Sequence, residues 1–304
     1  MTGNDSSPDW LQFVLRLDKL DPDTIEDIFN RHGACSVTLS DAGDNPVLEP
    51  APGETPLWSD TCITGLFPAD ADMAGLQNDL LDSLALSELP KHRVETLENR
   101  AWEREWLKDF GPMRFGERLW ISPGHSTVTQ RDAVIVQLDP GLAFGTGTHA
   151  TTALCLEWLD GLAVEDRTML DYGCGSGVLA IAGLKLGCAS AVAMDIDPQA
   201  LIATTQNAEH NGVTGRLRVV GSAEQIEGRF DIVVANILAG PLVEFAESVT
   251  STIAGNGMLA LSGVLCEQAA AVTAAYEPWI EFDEPVFREQ DGQTWSRLSG
   301  RRKR

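Results

Sequence analysis

The segment Leu170-Asp-Tyr-Gly-Cys-Gly-Ser-Gly177 constrains this chain more than any other stretch of it. It ends an apolar run that reads as a strand, and Val178 to Leu186 behind it reads as a helix. Three glycines between the two let the backbone turn sharply and approach a ligand closely, while the free N–H groups of a helix N-terminus favour electron-rich atoms. Further apolar runs, Ala191-Val-Ala-Met-Asp195, Leu217-Arg-Val-Val220, Phe230-Asp-Ile-Val-Val-Ala235 and Met258-Leu-Ala-Leu261, alternate with helix patterns. Strands apolar on both faces belong to a parallel sheet covered by helices on each side, so a doubly wound α/β domain is expected from residue 139 onward.

The glycine spacing also selects the ligand. A dinucleotide fingerprint needs its third glycine one position later, where Val178 stands, which disfavours a nicotinamide dehydrogenase. G-x-G-x-G behind an acidic strand end is instead the pattern of the S-adenosylmethionine fold. Asp195 closes the next strand, where a carboxylate can accept hydrogen bonds from ribose hydroxyls. Asp197-Pro198 is left to cap the helix that follows.

Ahead of this domain, Leu11 to Leu17 alternates as a half-buried strand does, and Ile25, Ile28 and Phe29 form the apolar stripe of a helix opened by Asp21-Pro22-Asp23. Residues 34–39, 61–67 and 93–97 read as strands, and Met73 to Leu84 as a second helix. The order strand, helix, strand, strand, helix, strand predicts a smaller ferredoxin-like α+β domain, a fold that hosts many functions. Residues 101–107 read as a short amphipathic helix whose Trp102 and Trp106 pack rather than stack on substrate. Strand-like material at 119–121 and 133–138 follows. The expected division is therefore 1–98, a connector at 99–138, and 139–304.

Charge and cysteines exclude other classes. The net charge of −23 argues against a nucleic-acid surface, because phosphate binding needs clustered Lys and Arg. The first hundred residues hold 19 acidic against 6 basic side chains, so the smaller domain is the most acidic part, which suits either a solvated surface adapted for solubility or a basic partner. The six cysteines have no C-x-x-C pair and no His at metal-ligand spacing, and read as reduced, mostly core thiols with no metal. No apolar run spans a membrane and no signal peptide opens the chain, so a cytoplasmic location is expected.

At Leu138-Asp-Pro-Gly-Leu-Ala-Phe-Gly-Thr-Gly-Thr-His-Ala-Thr-Thr152 and Asn236-Ile-Leu-Ala-Gly-Pro-Leu242 the sequence resembles the bacterial ribosomal protein L11 methyltransferases. The likeness extends to Trp102-Glu-Arg-Glu-Trp106, Met113-Arg-Phe-Gly-Glu-Arg-Leu-Trp120 and Leu261-Ser-Gly-Val-Leu265, and so covers essentially the whole chain. It implies a seven-stranded, Rossmann-like methyltransferase domain and transfer of methyl groups from S-adenosylmethionine to lysine amines and the N-terminal amine of that ribosomal protein. The N-terminal domain would recognise this partner, with no role for nucleic acid or membrane. The family's cofactor contacts fall on Thr152, Gly173, Asp195 and Asn236. Thr152 can either cap its helix or bond the methionine end of the cofactor, and the loop Phe144 to Thr148 can cover it.

Asn236 resembles the Asn of the N-P-P-Y motif of other amine and amide methyltransferases, although Ile237 and Leu238 replace the prolines and no aromatic follows. A nucleophilic amine must be neutral, yet a free lysine has a pKa of about 10.4. An Asn side-chain oxygen and the backbone carbonyl of Ile237 can accept its N–H bonds and aim its lone pair, so orientation and desolvation suffice without a base. His149 reads as a loop or packing residue and not as that base, and Arg301-Arg-Lys-Arg304 as a solvated, frayed terminus. Two alternatives remain: a methyltransferase for another protein amine or amide, and a non-catalytic module that only senses the cofactor.

Overall fold

The computed structural model describes residues 10–43, 60–97, 111–123, 128–138 and 149–304. The helix expected at 101–107, with Trp102 and Trp106, and the loop Phe144–Thr148 lie outside the described residues. The chain divides into two compact units, Met1–Trp106 and Leu107–Arg304.

In the first unit, β1 (Trp10–Arg16), α1 (Pro22–Arg31), β2 (Ser36–Asp41), β3 (Thr61–Pro68), α2 (Met73–Ser83) and β4 (His92–Leu97) follow in order. The strands pair antiparallel as β2-β3-β1-β4. Asp21 and Asp72 start the two helices by accepting from Thr24 N and Gly75 N, which satisfies donors that have no partner within the helix. The expected stripe of Ile25, Ile28 and Phe29 is buried against Phe13, Ile63, Phe67, Leu76 and Leu80. Phe29 meets Phe13 and Phe67 edge-on at 5.7 and 5.6 Å, and a Cβ at Gly65 would stand 2.7 Å from its ring, so glycine there is the space the aromatic cluster needs.

The second unit opens with a small sheet of β5 (Met113–Phe115), β6 (Leu119–Ser122) and β7 (Val134–Gln137). The Asp160 carboxylate holds the β5–β6 turn by accepting from Glu117 N and Arg118 N. The main body follows as α3 (Ala150–Asp160), β8 (Thr168–Tyr172), α4 (Val178–Leu186), β9 (Ser190–Met194), α5 (Pro198–His210), β10 (Leu217–Val220) and β11 (Phe230–Asn236). It closes with α6 (Ala239–Glu244), α7 (Ala246–Ser251), β12 (Ile253–Leu265), α8 (Ala269–Tyr276), β13 (Ile280–Phe282), β14 (Val286–Gln290) and β15 (Gln293–Arg302).

Its sheet runs β10-β9-β8-β11-β12-β15-β13, and an eighth strand, β14, pairs with β15 beside that path. From β10 to β12 the pairs are parallel, and β15 is antiparallel to its neighbours. Neighbouring residues of one strand serve opposite faces: Met169, Ile232 and Val234 join the layer that holds α3 and α4, while Leu170, Val233 and Ala235 join the layer of α6 to α8. That double burial explains the unbroken apolar runs.

The C-terminal tail corrects the expectation of a frayed end. Arg301 and Arg302 belong to β15, paired with Met258 and Ile280. The Arg302 guanidinium donates to the carbonyls of Thr250 and Ile253, and Lys303 Nζ donates to Glu277 O at 2.6 Å. Carbonyls without partners at a helix end attract cations, so these charges stitch the terminus to the ends of α7 and α8. Among the described residues no helix is long and apolar enough to cross a membrane.

Candidate functional site

The strand order reverses between β8 and β11, and in open α/β sheets the crevice at such a reversal, at the carboxyl ends of the strands, is where ligands bind. The loop after β8 occupies one wall of it. Gly173, Gly175 and Gly177 have φ of 80°, 53° and 76°, a region costly for other residues. A Cβ on Gly173 would lie 2.3 Å from Ile237 Cγ2, and one on Gly177 2.7 Å from Thr204 Cγ2. Space and conformation both require glycine at these two places.

The loop is tied down from several sides. Gly173 N and Cys174 N donate to Met194 O at 2.8 and 2.9 Å, Thr204 Oγ1 donates to Gly175 O at 3.0 Å, and Asn207 Nδ2 to Ser176 O at 2.9 Å. Asp195 follows β9 and accepts from Gly175 N at 2.8 Å with one oxygen and from Asp197 N at 3.0 Å with the other. Each carboxylate oxygen keeps a further lone pair that can meet a ligand hydroxyl. Asp197 caps α5 by accepting from Gln199 N at 2.9 Å, the structural part expected of it.

Asp171, the acidic residue ahead of the glycines, is fully buried. Its Oδ2 accepts from Ala180 N at 3.0 Å while its Oδ1 is buried without a hydrogen-bond partner among the described residues. Burial pushes its pKa up to about 7, with the Ala180 bond opposing and the charge of Asp195 adding to the rise. Burial likewise holds the Cys174 thiol protonated, which removes it as a nucleophile. Of the six cysteines Cys155, Cys174 and Cys188 are buried, and Cys35 and Cys266 are exposed.

Asn236, the last residue of β11, forms the other wall. Its Nδ2 donates to Thr152 Oγ1 at 3.2 Å, and its Oδ1 is buried with no hydrogen-bond partner among the described residues. Thr152 is 1% exposed on the first turn of α3 and is not the cap: His149 is, its Nδ1 accepting from Thr151 N at 3.4 Å. The His149 ring also packs edge-on against Trp295 at 4.7 Å, as befits a packing residue. Ile237 bridges the walls. Its side chain fills the space over Gly173, and its carbonyl oxygen lies where a Cβ on Gly263 would come within 2.2 Å. Gly263 has φ 84° and sits where the β12–β15 register shifts between Leu261 and Val264, so a bulge makes room for that carbonyl.

The fold thus joins Gly173 to Ile237 and Thr152 to Asn236 across 64 and 84 residues of chain, and hangs Asp195 on the glycine loop. Three features are not legible in the sequence. Gly263 stands in a segment of the family resemblance, but nothing around it states that it yields space to the Ile237 carbonyl, and Ile196 beside Asp195 is an apolar side chain held 83% exposed at the crevice edge. The third is the hairpin of β14 and β15, which packs on α3.

The match to the family model described as ribosomal protein L11 methyltransferase (PrmA) covers residues 9–303. Relatives of that name from Serratia proteamaculans and Klebsiella pneumoniae are 50% and 48% identical, covering 97% and 96% of this chain and 99% of each relative. The crystal structure of ribosomal protein L11 methylase from Lactobacillus delbrueckii subsp. bulgaricus superimposes with a TM-score of 0.58 at 32% identity, over 64% of this chain and all of that one.

Proposed function

The chain belongs to the ribosomal protein L11 methyltransferase family, and from that premise we propose that Thr152, Gly173, Asp195, Asn236 and Ile237 carry its reaction at the β8–β11 crevice. The protein is an S-adenosylmethionine-dependent methyltransferase of ribosomal protein L11, with a mixed α/β methyltransferase-like fold. The observation that carries the site assignment is the buried Asn236 Oδ1, an acceptor at the end of β11 with no donor among the described residues.

The residues present fit the cofactor. Asp195 accepts from ribose hydroxyls with its remaining lone pairs, Ile196 offers an apolar surface to the base, and the bare α-carbons of the glycine loop admit the chain between them. When bound, S-adenosylmethionine would supply an electrophilic methyl carbon on a sulfonium; an amine lone pair attacking that carbon forms the C–N bond as the C–S bond breaks, its electrons leaving on sulfur as a neutral thioether. The protein's part is to present that lone pair. Thr152 holds the NH2 end of the Asn236 amide, which leaves the oxygen end to accept from a ligand. With the Ile237 carbonyl it accepts the two N–H bonds of a neutral amine and leaves the lone pair pointing at the methyl group. An ammonium would spend its lone pair on the third proton, so the site selects the neutral form of lysine or an N-terminal amine.

We assign recognition of ribosomal protein L11 to residues 1–98 and read that unit as ferredoxin-like, on the strength of its two helices, its strand order β2-β3-β1-β4 and its concentration of acidic side chains. A cytoplasmic place of action and a substrate met as free protein complete the reading. Titration calorimetry tests the site: S-adenosylmethionine binds one to one and NAD gives no heat, because the buried Val178 stands where a dinucleotide needs glycine. Binding of NAD alone would overturn it.

A further inference from the structure

We propose that Gln290 and Trp295, on the hairpin of β14 and β15, are positioning residues for methyl transfer: they fix the first turn of α3, and through Thr152 the orientation of the Asn236 amide. The inference rests on Asn236 being the acceptor for the substrate amine.

The first N–H groups of a helix have no partners within it and need acceptors from outside. A short Ser, Thr, Asp or Asn side chain normally supplies one. In α3 the cap is His149, whose Nδ1 faces Thr151 N at 3.4 Å and Thr151 Oγ1 at 2.8 Å. An imidazole caps well only if its ring plane is held, and Trp295 holds it, ring edge against ring at 4.7 Å and 72°. The next donor, Ala150 N, bonds to Gln290 Oε1, an acceptor supplied from 140 residues away. The N-terminus of α3 is therefore set by the hairpin as much as by its own sequence.

The hairpin is built to hold that position. Asp291 and Gly292, with φ of 52° and 75°, make the two-residue turn whose twist matches paired strands, and five register pairs run from Gln290↔Gln293 to Val286↔Arg297. Farther along α3, Arg297 Nη1 donates to Leu154 O at 3.0 Å, and Arg288 Nη2 reaches both oxygens of Glu157 at 2.8 and 2.9 Å. Helix and hairpin are clamped at three levels.

The consequence falls on Asn236. The terminal torsion of an Asn is broad and nearly two-fold, so only hydrogen bonding decides whether the oxygen or the NH2 faces a ligand. Thr152 Oγ1 makes that decision, two residues beyond the N–H that Gln290 holds. If the first turn of α3 slackens, the amide can turn its NH2 group toward the amine N–H bonds, donor against donor. Turnover then falls while the binding surfaces for both substrates remain.

Steady-state transfer to ribosomal protein L11 tests this with Gln290→Met, which keeps the length of the side chain and removes the acceptor, and Gln290→Glu, which retains an oxygen. Gln290→Met is expected to lower kcat about tenfold with KM for S-adenosylmethionine and for the protein substrate within about twofold, and Gln290→Glu to keep kcat within about twofold of the parent. In a Thr152→Val background Gln290→Met should cost nothing further, since its effect runs through that hydroxyl. Parental kcat for Gln290→Met, an undiminished loss in the Thr152→Val background, or no rescue by Gln290→Glu overturns the proposal. If Gln290→Met yields no folded protein, Trp295→Leu bears the same expectation and the same refutation. Asn236→Ala in the same assay separates the two readings: full activity there removes the acceptor assignment itself, whatever Gln290 shows.

Discussion

The two walls of the crevice are built on opposite terms. The loop after β8 has its backbone amides, carbonyls and neighbouring carboxylate tied to Met194, Thr204, Asn207 and one another. The end of β11 instead leaves Asn236 Oδ1 buried and unpaired among the described residues, at a desolvation cost of about 1–3 kcal/mol. A satisfied loop is a scaffold that changes little when a ligand arrives. An orphaned acceptor awaits a donor, and its desolvation cost is relieved by the amine it orients. The wall assigned to the cofactor should thus govern affinity and stability, and the wall assigned to the amine should govern rate.

The sharpest way to break that contrast is Asn236→Ala. Loss of the acceptor is expected to lower kcat by about 10²- to 10³-fold, comparable with removing one preorganised hydrogen-bonding group from other active sites, while affinity for S-adenosylmethionine changes by less than about threefold. An equal loss in binding would dissolve the distinction between the walls. Gly173→Ala attacks the hinge between them. Its φ of 80° and the 2.3 Å approach to Ile237 Cγ2 leave no room for a methyl group, so stability should fall by about 2–3 kcal/mol, a drop in Tm of about 5–10 °C by scanning calorimetry.

Asp195→Asn tests the scaffold side alone. Replacing a charged acceptor by a neutral one should weaken cofactor binding by about ten- to thirtyfold in titration calorimetry, with kcat at saturation near the parental value. The remaining prediction concerns pH. The Asp171 carboxyl has a pKa of about 7 when folded against an ordinary value of 3.8, so its contribution to stability is fully present below that ordinary value and is lost as pH rises through about 7. Asp171→Asn cannot ionise and escapes that loss. Its Tm relative to the parent should rise between about pH 5 and pH 8, and a pH-independent difference would show that ionisation of the buried carboxyl is not the cause.

Much of this contrast was legible in the sequence, and unequally so. The scaffold wall is local: glycines at 173, 175 and 177 and Asp195 lie in one strand–loop–helix–strand run whose spacing states its geometry. The amine wall is assembled from afar. Asn236 stood out as a motif residue, but its bond to Thr152 spans 84 positions and decides which end of the amide is free. His149, not Thr152, proved to be the helix cap, because the ring is held by Trp295 rather than by anything near it in sequence. Strands β13 to β15 escaped notice since they lie on or near the sheet edge with mixed side chains, as in Val286-Phe-Arg-Glu-Gln290, and lack the apolar run of a central strand. Arg302 read as a loose charge for a different reason: its partners are backbone carbonyls, which leave no mark in a side-chain pattern.

The most direct measurement is to incubate the protein with isotopically labelled S-adenosylmethionine and purified ribosomal protein L11 and to map the label by mass spectrometry. Label is expected on lysine side chains and the N-terminal amine, rising steeply with pH as the neutral amine becomes available. Label confined to other side chains, or none at all on a protein that binds the cofactor, would contradict an amine-directed site.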